Sequence, residues 1–265
     1  MQESGYWRQQ LLEQPLFPDL IWSRPENKTQ AGKLLIIGGS GSGFSKVAEA
    51  YSQALKAGLG AAKILLPDSL QKTVGPSLTA GQYAPSTPSG SFSRSALGEA
   101  LAASDWADAV LLAGDFGHNS ETAIFLESLV SKYDGPLGLA GDSLDYFIKS
   151  PVSLLARENT LLILEFNQLQ KISSSAHFSS AFTSNMDLIR FVEAIHLLTS
   201  AYKPALVTEH LNNLAVSFGG QVITTKVGDN GPGITMPLAA KASVWWLQNI
   251  NQPLDGLASS LVAES

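Results

Sequence analysis

The glycine-rich segment GGSGSGFS, which begins at Gly38, is the first part of the chain whose residue types could do chemistry. It follows an apolar run and precedes a segment of helical period, and such loops can hold phosphate against a helix N-terminus. Gly38, Gly43 and Ser45 have P-loop spacing, but Phe44 occupies the lysine position. Phe44 also replaces the third glycine of a dinucleotide fingerprint that would start at Gly39. Neither motif is complete, and a strand-to-helix turn of small residues is the alternative interpretation.

Two later segments repeat the same order of apolar run, small-residue loop and helix. They are AGDFGHNS (Ala113–Ser120) and GPGIT (Gly231–Thr235). In an open parallel sheet such loops gather along the carboxyl edge, where ligands bind. Together the three loops favour a nucleotide-like ligand more than any one of them does.

Aspartates in or beside these loops could supply acid–base or cation-binding groups. Asp142 follows a buried run, so it could face a ligand or a Mg²⁺-type cation, but it could equally cap the SLDYF segment. For Asp115 we prefer a capping role. Asp229 could act as a base beside GPGIT, although Asp229 and Asn230 also suit an ordinary turn. The four histidines show no metal-ligand spacing, so no protein-built metal site is predicted.

Apolar runs that alternate with helical segments must position these loops. Continuous rather than alternating apolar runs predict strands that are covered on both faces, and repeated strand–helix–strand units predict a parallel sheet. The last three runs are closely spaced, and Gly219-Gly220 predicts a two-residue hairpin turn. The predicted fold is therefore α/β, a mainly parallel sheet with helices on both faces and an antiparallel edge near the C-terminus. The predicted strands are Lys33–Gly39, Ala62–Pro67, Asp108–Gly114, Pro136–Asp142, Thr160–Phe166, Pro204–His210, Asn213–Phe218 and Gln221–Thr225.

The composition restricts the class of protein. A chain of 265 residues with 45% hydrophobic and 15% charged residues fits a folded globular protein. Its net charge of −6 argues against nucleic-acid binding, which needs a basic surface. The absence of cysteine excludes thiol catalysis and disulfides. No apolar run has the length of a membrane helix and the N-terminus does not resemble a secretory signal, so a cytoplasmic protein without membrane partners is expected.

The chain is expected to form one domain, residues 31–265, with an N-terminal extension, residues 1–30, packed on it. The segments Phe17–Gly32 and Val74–Ser93 are predicted to be loops. Of the adjacent Trp245 and Trp246, one is expected to face the core and the other a partner surface.

From about Asn27 onward, the chain resembles the ribokinase-like, ATP/ADP-dependent NAD(P)H-hydrate dehydratases. The strongest likeness lies in the segment Asn27–Leu70, where a lysine, a Gly-Gly-Ser loop and an Ala-Gly-x-Gly helix end match the family. The matching residues there are Lys28, Gly38, Gly39, Ser40, Ala57, Gly58 and Gly60. Further along, Gly117 matches the last glycine of the family's Gly-Pro-Gly-Leu-Gly, and Asp142 and Leu144 match its Asp-Ala-Asp-Ala-Leu-Asn segment.

Three departures from the family lie in its catalytic motifs. In ILEFNQ, Glu165 stands at the family's histidine and Gln168 at its glutamate. The segment VTEHLNN (Val207–Asn213) has no lysine where the family has Lys-Gly. In GPGIT, Ile234 replaces the aspartate of Gly-x-Gly-Asp. Isoleucine can neither act as a base nor orient a water, so the motifs are degenerate.

The resemblance implies a fold, ligands and site residues. It implies ATP or ADP with Mg²⁺ over Gly231, Gly233 and Thr235. It implies hydrated NAD(P)H, as substrate, near Gly38, Gly39, Ser40, Gly43, Gly117 and Asp142, with Asp229 and Asp142 as the remaining catalytic candidates. Three functions stay open at this point: a dehydratase, an inactive descendant that binds a nucleotide or a partner, and a small-molecule kinase of the same superfold. Family members are often homo-oligomers, so a homo-oligomer is expected.

Overall fold

The computed structural model describes residues 5–75, 78, 80–228 and 233–263. Ten strands within these ranges form one sheet, in the order β1-β10-β9-β8-β7-β6-β5-β2-β3-β4. The strands are β1 (Trp7–Leu11), β2 (Lys33–Gly38), β3 (Ala61–Pro67), β4 (Gly81–Ala84), β5 (Ala109–Gly114), β6 (Leu137–Ala140), β7 (Thr160–Leu164), β8 (Ala205–His210), β9 (Asn213–Phe218) and β10 (Gln221–Lys226).

Helices connect the strands and cover the sheet. They are α1 (Pro18–Trp22), α2 (Ser45–Lys56), α3 (Gln71–Val74), α4 (Leu97–Ser104), α5 (Ser120–Lys132), α6 (Val152–Leu155), α7 (Phe166–Ser175), α8 (Leu188–Ala201), α9 (Met236–Gln248) and α10 (Pro253–Val262), with 3₁₀ helices at Asp68–Leu70, Arg94–Ala96 and Gly141–Phe147. No helix of the described ranges combines the length and the apolar character that crossing a bilayer requires.

The predicted sheet is confirmed. β2, β3, β4, β5, β6, β7 and β8 pair in parallel, and β9 pairs antiparallel with both β8 and β10. Gly219 and Gly220 both have positive φ, as a tight turn between twisted strands requires. Beyond the hairpin, β1 pairs in parallel with β10 and becomes the outermost strand.

The core lies on both faces of the sheet because successive residues of a strand point to opposite sides. In β2, Leu35 and Ile37 belong to the core cluster that includes residues of α4, α5, α7 and α8, whereas Leu34 and Ile36 belong to the cluster that includes residues of α2, α9 and α10. All four side chains are fully buried. The continuous apolar runs of the sequence therefore reflect two helical layers.

Two predicted loops contain regular structure. β4 lies within Val74–Ser93, and α1 lies within Phe17–Gly32. β4 has four residues and borders only β3, and α1 has five residues with none buried, so neither carries a long apolar pattern. Because both elements are short, the sequence pattern did not predict them.

Both residues of the Trp245–Trp246 pair are buried, so the prediction of a partner-facing tryptophan was wrong. Arg24 covers part of this pair, because its Cζ lies 4.3 Å from the centroid of the Trp245 ring. The same guanidinium donates a hydrogen bond to the carbonyl of Ala57 at the end of α2. The homo-oligomer and the division into residues 1–30 and 31–265 stay predictions.

Gln10, in β1, joins the start of the chain to the rest of the fold. Its side-chain amide is buried and donates to Thr225 Oγ1 at 2.9 Å and to the Ala258 carbonyl at 2.8 Å. Its oxygen accepts from the Leu16 backbone N–H at 3.2 Å. Both the nitrogen and the oxygen of the Gln10 side chain are thus hydrogen-bonded.

We expect Gln10→Ala to lower the free energy of unfolding by about 2 kcal/mol, because it removes three hydrogen bonds and two of their partners, Thr225 and Ala258, are buried. Urea denaturation followed by circular dichroism measures this change. The neighbouring Gln9 is exposed, so Gln9→Ala is the matched control with an expected change within about 0.5 kcal/mol. Equal stability of the two variants would contradict the role of Gln10.

Candidate functional site

Most of the backbone N–H groups in the loop between β2 and α2 already donate hydrogen bonds to carbonyl groups of the protein. Gly39 has φ +91° and donates its N–H to the Gly114 carbonyl at 3.0 Å. Ser40 and Gly43 exchange two backbone hydrogen bonds of 2.9 and 3.0 Å, and Gly41 donates to Gly90 at 2.8 Å. Amides already paired in this way cannot also bind a phosphate. The loop is therefore a folded turn rather than an open anion cradle.

A carboxylate from another loop occupies the N-terminus of α2. Oδ2 of Asp115 accepts from the Lys46 backbone N–H at 2.9 Å, and Ser45 Oγ lies 3.4 Å away. Lys46 Nζ lies 3.9 Å from Asp115 Oδ1. The residue that precedes the helix, Phe44, supplies no side-chain cap. Asp115 thus caps α2, and its negative charge stands where a helix N-terminus would attract an external anion.

Asp142 follows β6 and lies beside the same loop. Its Oδ2 accepts from the Phe116 backbone N–H at 3.1 Å, whereas the buried Oδ1 has no hydrogen-bond partner. Burial raises the pKa of the Asp142 carboxyl above its usual range, Lys46 opposes this shift, and Asp115 adds to it. A carboxyl with a raised pKa beside an ammonium group is a candidate for proton transfer.

Several residues predicted to contact a substrate lie close together. A methyl group at Gly117 would lie 3.7 Å from Oγ of the buried Ser40, and the Gly117 carbonyl accepts from the Tyr146 hydroxyl. Gly38 differs, because a methyl group there would lie 2.4 Å from the Gly114 carbonyl oxygen. Gly38 therefore packs against the neighbouring strand, while Gly39, Ser40, Gly43, Gly117 and Asp142 border the loops at the carboxyl edge.

The second predicted cluster surrounds the start of α9. Thr235 caps this helix by accepting from the Leu238 N–H at 3.4 Å. Ile234 is partly buried and packs against the core beneath α9. Gly233 has φ +62°. Gly231 and Asp229 lie outside the described residues, so their predicted roles stay predictions.

The two clusters meet at Gly141. A methyl group at Gly141 would lie 3.5 Å from both Lys46 Nζ and Met236 Cε. The first turns of α2 and α9 therefore approach each other across the end of β6. The residues at the starts of α2 and α9 are therefore neighbours along the carboxyl edge of the sheet.

Glu165 and Gln168 have structural partners at the start of α7. Each side chain bonds the other's backbone in a capping box, in which Glu165 N–H donates to Gln168 Oε1 at 3.2 Å. Gln168 Nε2 also donates to the Gly141 carbonyl at 3.0 Å and to Asp145 Oδ1 at 2.9 Å. The sequence departure at these positions thus coincides with a helix cap. The Glu-x-x-Gln spacing was the signal that could have revealed it.

A cavity of about 390 Å³ opens at the ends of β7 and β8, next to Gly233. Phe166, Glu209 and His210 line it. His210 Nε2 lies 2.7 Å from the Met186 carbonyl, and its ring stacks on Phe166 with the centroids 4.7 Å apart. A methyl group at Gly233 would lie 3.2 Å from Glu209 Oε2. The sequence interpretation missed Glu209 and Lys46, because neither belongs to a local motif.

Each of the two clusters has one carboxylate at its border, Asp142 in the first and Glu209 in the second. The carboxylates of Asp142 and Glu209 are hard oxygen donors, which Mg²⁺ prefers. No group of three or more His, Asp or Glu side chains in the described part of the chain could hold a metal ion. A magnesium ion at either carboxylate would need oxygen ligands from outside the protein to complete its coordination.

Solved structures share this architecture at low sequence identity. A ribokinase-like superfamily protein from Enterococcus faecalis superposes with a TM-score of 0.68 and 13% identity, covering 96% of this chain and 85% of that one. The fold is ribokinase-like. A protein from Streptococcus mutans gives a TM-score of 0.67 and 16% identity over 92% of this chain and 84% of its own.

The ADP/ATP-dependent NAD(P)H-hydrate dehydratase from Bacillus subtilis, co-crystallised with ATP and Mg²⁺, is also similar. It gives a TM-score of 0.59 and 14% identity over 94% of this chain and 86% of its own. No family model and no curated protein matches the sequence. At these identities the likeness establishes the fold, and function must be argued from the site.

Proposed function

We propose that this protein binds an adenine nucleotide in the cavity at the ends of β7 and β8, beside Gly233, and does not use it for catalysis. Support for binding comes from the cavity beside Gly233 and from a similar structure that was co-crystallised with ATP and Mg²⁺. The lack of catalysis is supported by the side chains next to this cavity. Glu165 and Gln168 bond each other in a capping box, and Ile234 packs against the core.

The capping box carries this proposal. A Gln168 amide that holds Gly141 and Asp145 cannot ionise, and so it cannot serve as an acid or a base. Ile234, at the start of α9, has no group that could orient a water beside a phosphate. Loss of a general base alone typically lowers a rate by about 10²–10⁴-fold.

A second candidate function is dehydration of hydrated NAD(P)H with ATP or ADP. Asp142 supports it, because its carboxyl has a raised pKa and a nearby ammonium on Lys46. Such a carboxyl could donate a proton to a leaving hydroxyl. In that case Asp142 rather than the residue at position 234 would carry the chemistry.

We expect Mg-ATP and Mg-ADP to bind in calorimetry with a 1:1 stoichiometry, and we expect hydrated NADH not to recover its absorbance when Mg-ATP is added. The Bacillus subtilis dehydratase is the positive control. A rate within about tenfold of this control would favour the second candidate, and Asp142→Asn should then abolish turnover. Absence of any nucleotide binding at millimolar concentration would contradict both candidates.

A further inference from the structure

The strand β1 forms one border of the sheet, and β10 is the only strand with which it pairs in the described part of the chain. The Tyr6 carbonyl accepts from the Val222 N–H at 2.8 Å. Because the backbone groups of successive strand residues point to alternate sides, the even-numbered residues of β1 turn their N–H and C=O groups toward β10. The odd-numbered residues, whose backbone groups point away from the sheet, are Trp7, Gln9 and Leu11.

One end of this outer edge is already closed. The Leu11 carbonyl accepts from the Gln14 N–H at 3.1 Å, and the two residues form an isolated bridge. The backbone N–H and C=O groups of Trp7 and Gln9 have no such partner among the residues that the structure describes. Trp7 and Gln9 therefore form a short open edge, which can accept one more strand in a fixed register.

The usual devices that protect an edge strand are missing from β1. Proteins block such edges with lysine, proline or a β-bulge. The sequence WRQQL contains neither lysine nor proline, and its five residues pair with β10 without a shift of register. Its one charged residue, Arg8, is turned back onto its own chain. Arg8 Nη2 lies 3.7 Å from Asp255 Oδ1, and its Cζ lies 5.0 Å from the centroid of the Phe17 ring.

We propose that β1 is an interface between two copies of this chain, whose β1 strands pair antiparallel about a two-fold axis beside Arg8. In this register Trp7 of each copy faces Gln9 of the other and exchanges both backbone hydrogen bonds with it. The open groups of both strands are then paired, and the sheet continues from one copy into the next. The two Arg8 residues face each other across the axis, and the Asp255 of each chain offsets their charges.

Apolar surface beside the edge favours the same partner. Leu11 and Leu12, which follow the open residues, are 51% and 47% exposed. A second copy in this register would place its own Gly5 opposite Leu11 and cover part of that side chain. This inference is independent of nucleotide binding, because it uses the opposite end of the sheet order from β4 and no residue of the candidate site.

The first test is sedimentation equilibrium of the full chain at about 1–100 μM, a range that detects a weak dimer. We expect the unmodified protein to dimerise, and Gln9→Pro to weaken dimerisation at least about tenfold. Proline removes the outward N–H but is tolerated on an edge strand. Gln9→Ala keeps that N–H and is the matched control, with dimerisation like that of the unmodified protein. Circular dichroism shows whether each variant is folded.

The second test fixes the register and does not depend on the proline variant. The chain has no cysteine, so a single introduced thiol is unique. Residues that face each other in a pair without mutual hydrogen bonds have Cα atoms about 4.5 Å apart, which suits a disulfide. Arg8→Cys should therefore form a covalent dimer on mild oxidation. Gln9→Cys, on the other face and offset from its own copy, should do so at least about tenfold more slowly.

Three results would each overturn the proposal. They are an unmodified chain that stays monomeric over the whole concentration range, a folded Gln9→Pro variant that dimerises as tightly as Gln9→Ala, and a Gln9→Cys variant that cross-links as fast as Arg8→Cys. None of them bears on whether the protein binds a nucleotide.

Discussion

Gly38→Ala is expected to lower the free energy of unfolding by about 3 kcal/mol. A β-carbon at this position would lie 2.4 Å from the Gly114 carbonyl oxygen and 2.7 Å from Val47 Cγ2. The first of these atoms belongs to the backbone of β5, so a side-chain rotation cannot relieve the contact. The pairing of β2 and β5 shifts register between Ile37 and Gly38, and the substitution would force the strands apart there.

Gly43→Ala is the matched control, because no heavy atom lies within 4 Å of a β-carbon built at Gly43. Its stability should stay within about 0.5 kcal/mol of the unmodified protein. Urea denaturation of both variants, followed by circular dichroism, measures the difference. If Gly38→Ala is as stable as Gly43→Ala, then Gly38 does not lie as close to the backbone of β5 as described.

Asp115→Ala is expected to cost about 2–3 kcal/mol. Removing the carboxylate leaves the Lys46 N–H without its 2.9 Å partner, and loss of an N-cap typically costs about 1 kcal/mol. Asp115 also has φ +59°, a conformation that costs alanine roughly 1–2 kcal/mol. The ion pair with Lys46 adds little, because the Lys46 side chain is partly exposed.

Asp115→Asn separates these contributions. Asparagine tolerates the left-handed conformation, and its oxygen can still accept from Lys46 N–H, so most of the stability should remain. Denaturant titrations of both variants give the comparison. If the alanine and asparagine variants lose the same stability, the cap does not depend on a side-chain oxygen at position 115.

Much of the sheet was predictable, because burial on both faces leaves a strong signal. The segments Leu34–Ile37 and Leu161–Leu164 are apolar throughout, and each lies in a central strand. β1 escaped prediction because its sequence, WRQQL, is polar. Its one buried side chain is Gln10, which is satisfied by hydrogen bonds to distant residues rather than by apolar contacts.

The candidate site was predictable only in part. Asp142 could be placed, since a polar residue directly after a buried run lies at the carboxyl edge. A capping role for Asp115 was also predicted, but the helix that it caps could not be, because Lys46 lies 69 positions earlier and the two meet only when β2 and β5 pair. Glu209 was missed for a related reason, because its importance depends on where the chain returns at Gly233.

The pairing of β1 with β10 sets an order of events during synthesis. Gln10 bonds Thr225 across 215 positions of sequence, so β1 has no partner in the sheet until the ribosome has made the chain through β10. The parallel strands from β2 to β8 can pair before then. The N-terminal strand thus joins late and bridges the longest separation in the sheet, and a protein truncated before β10 would carry β1 as an unpaired segment.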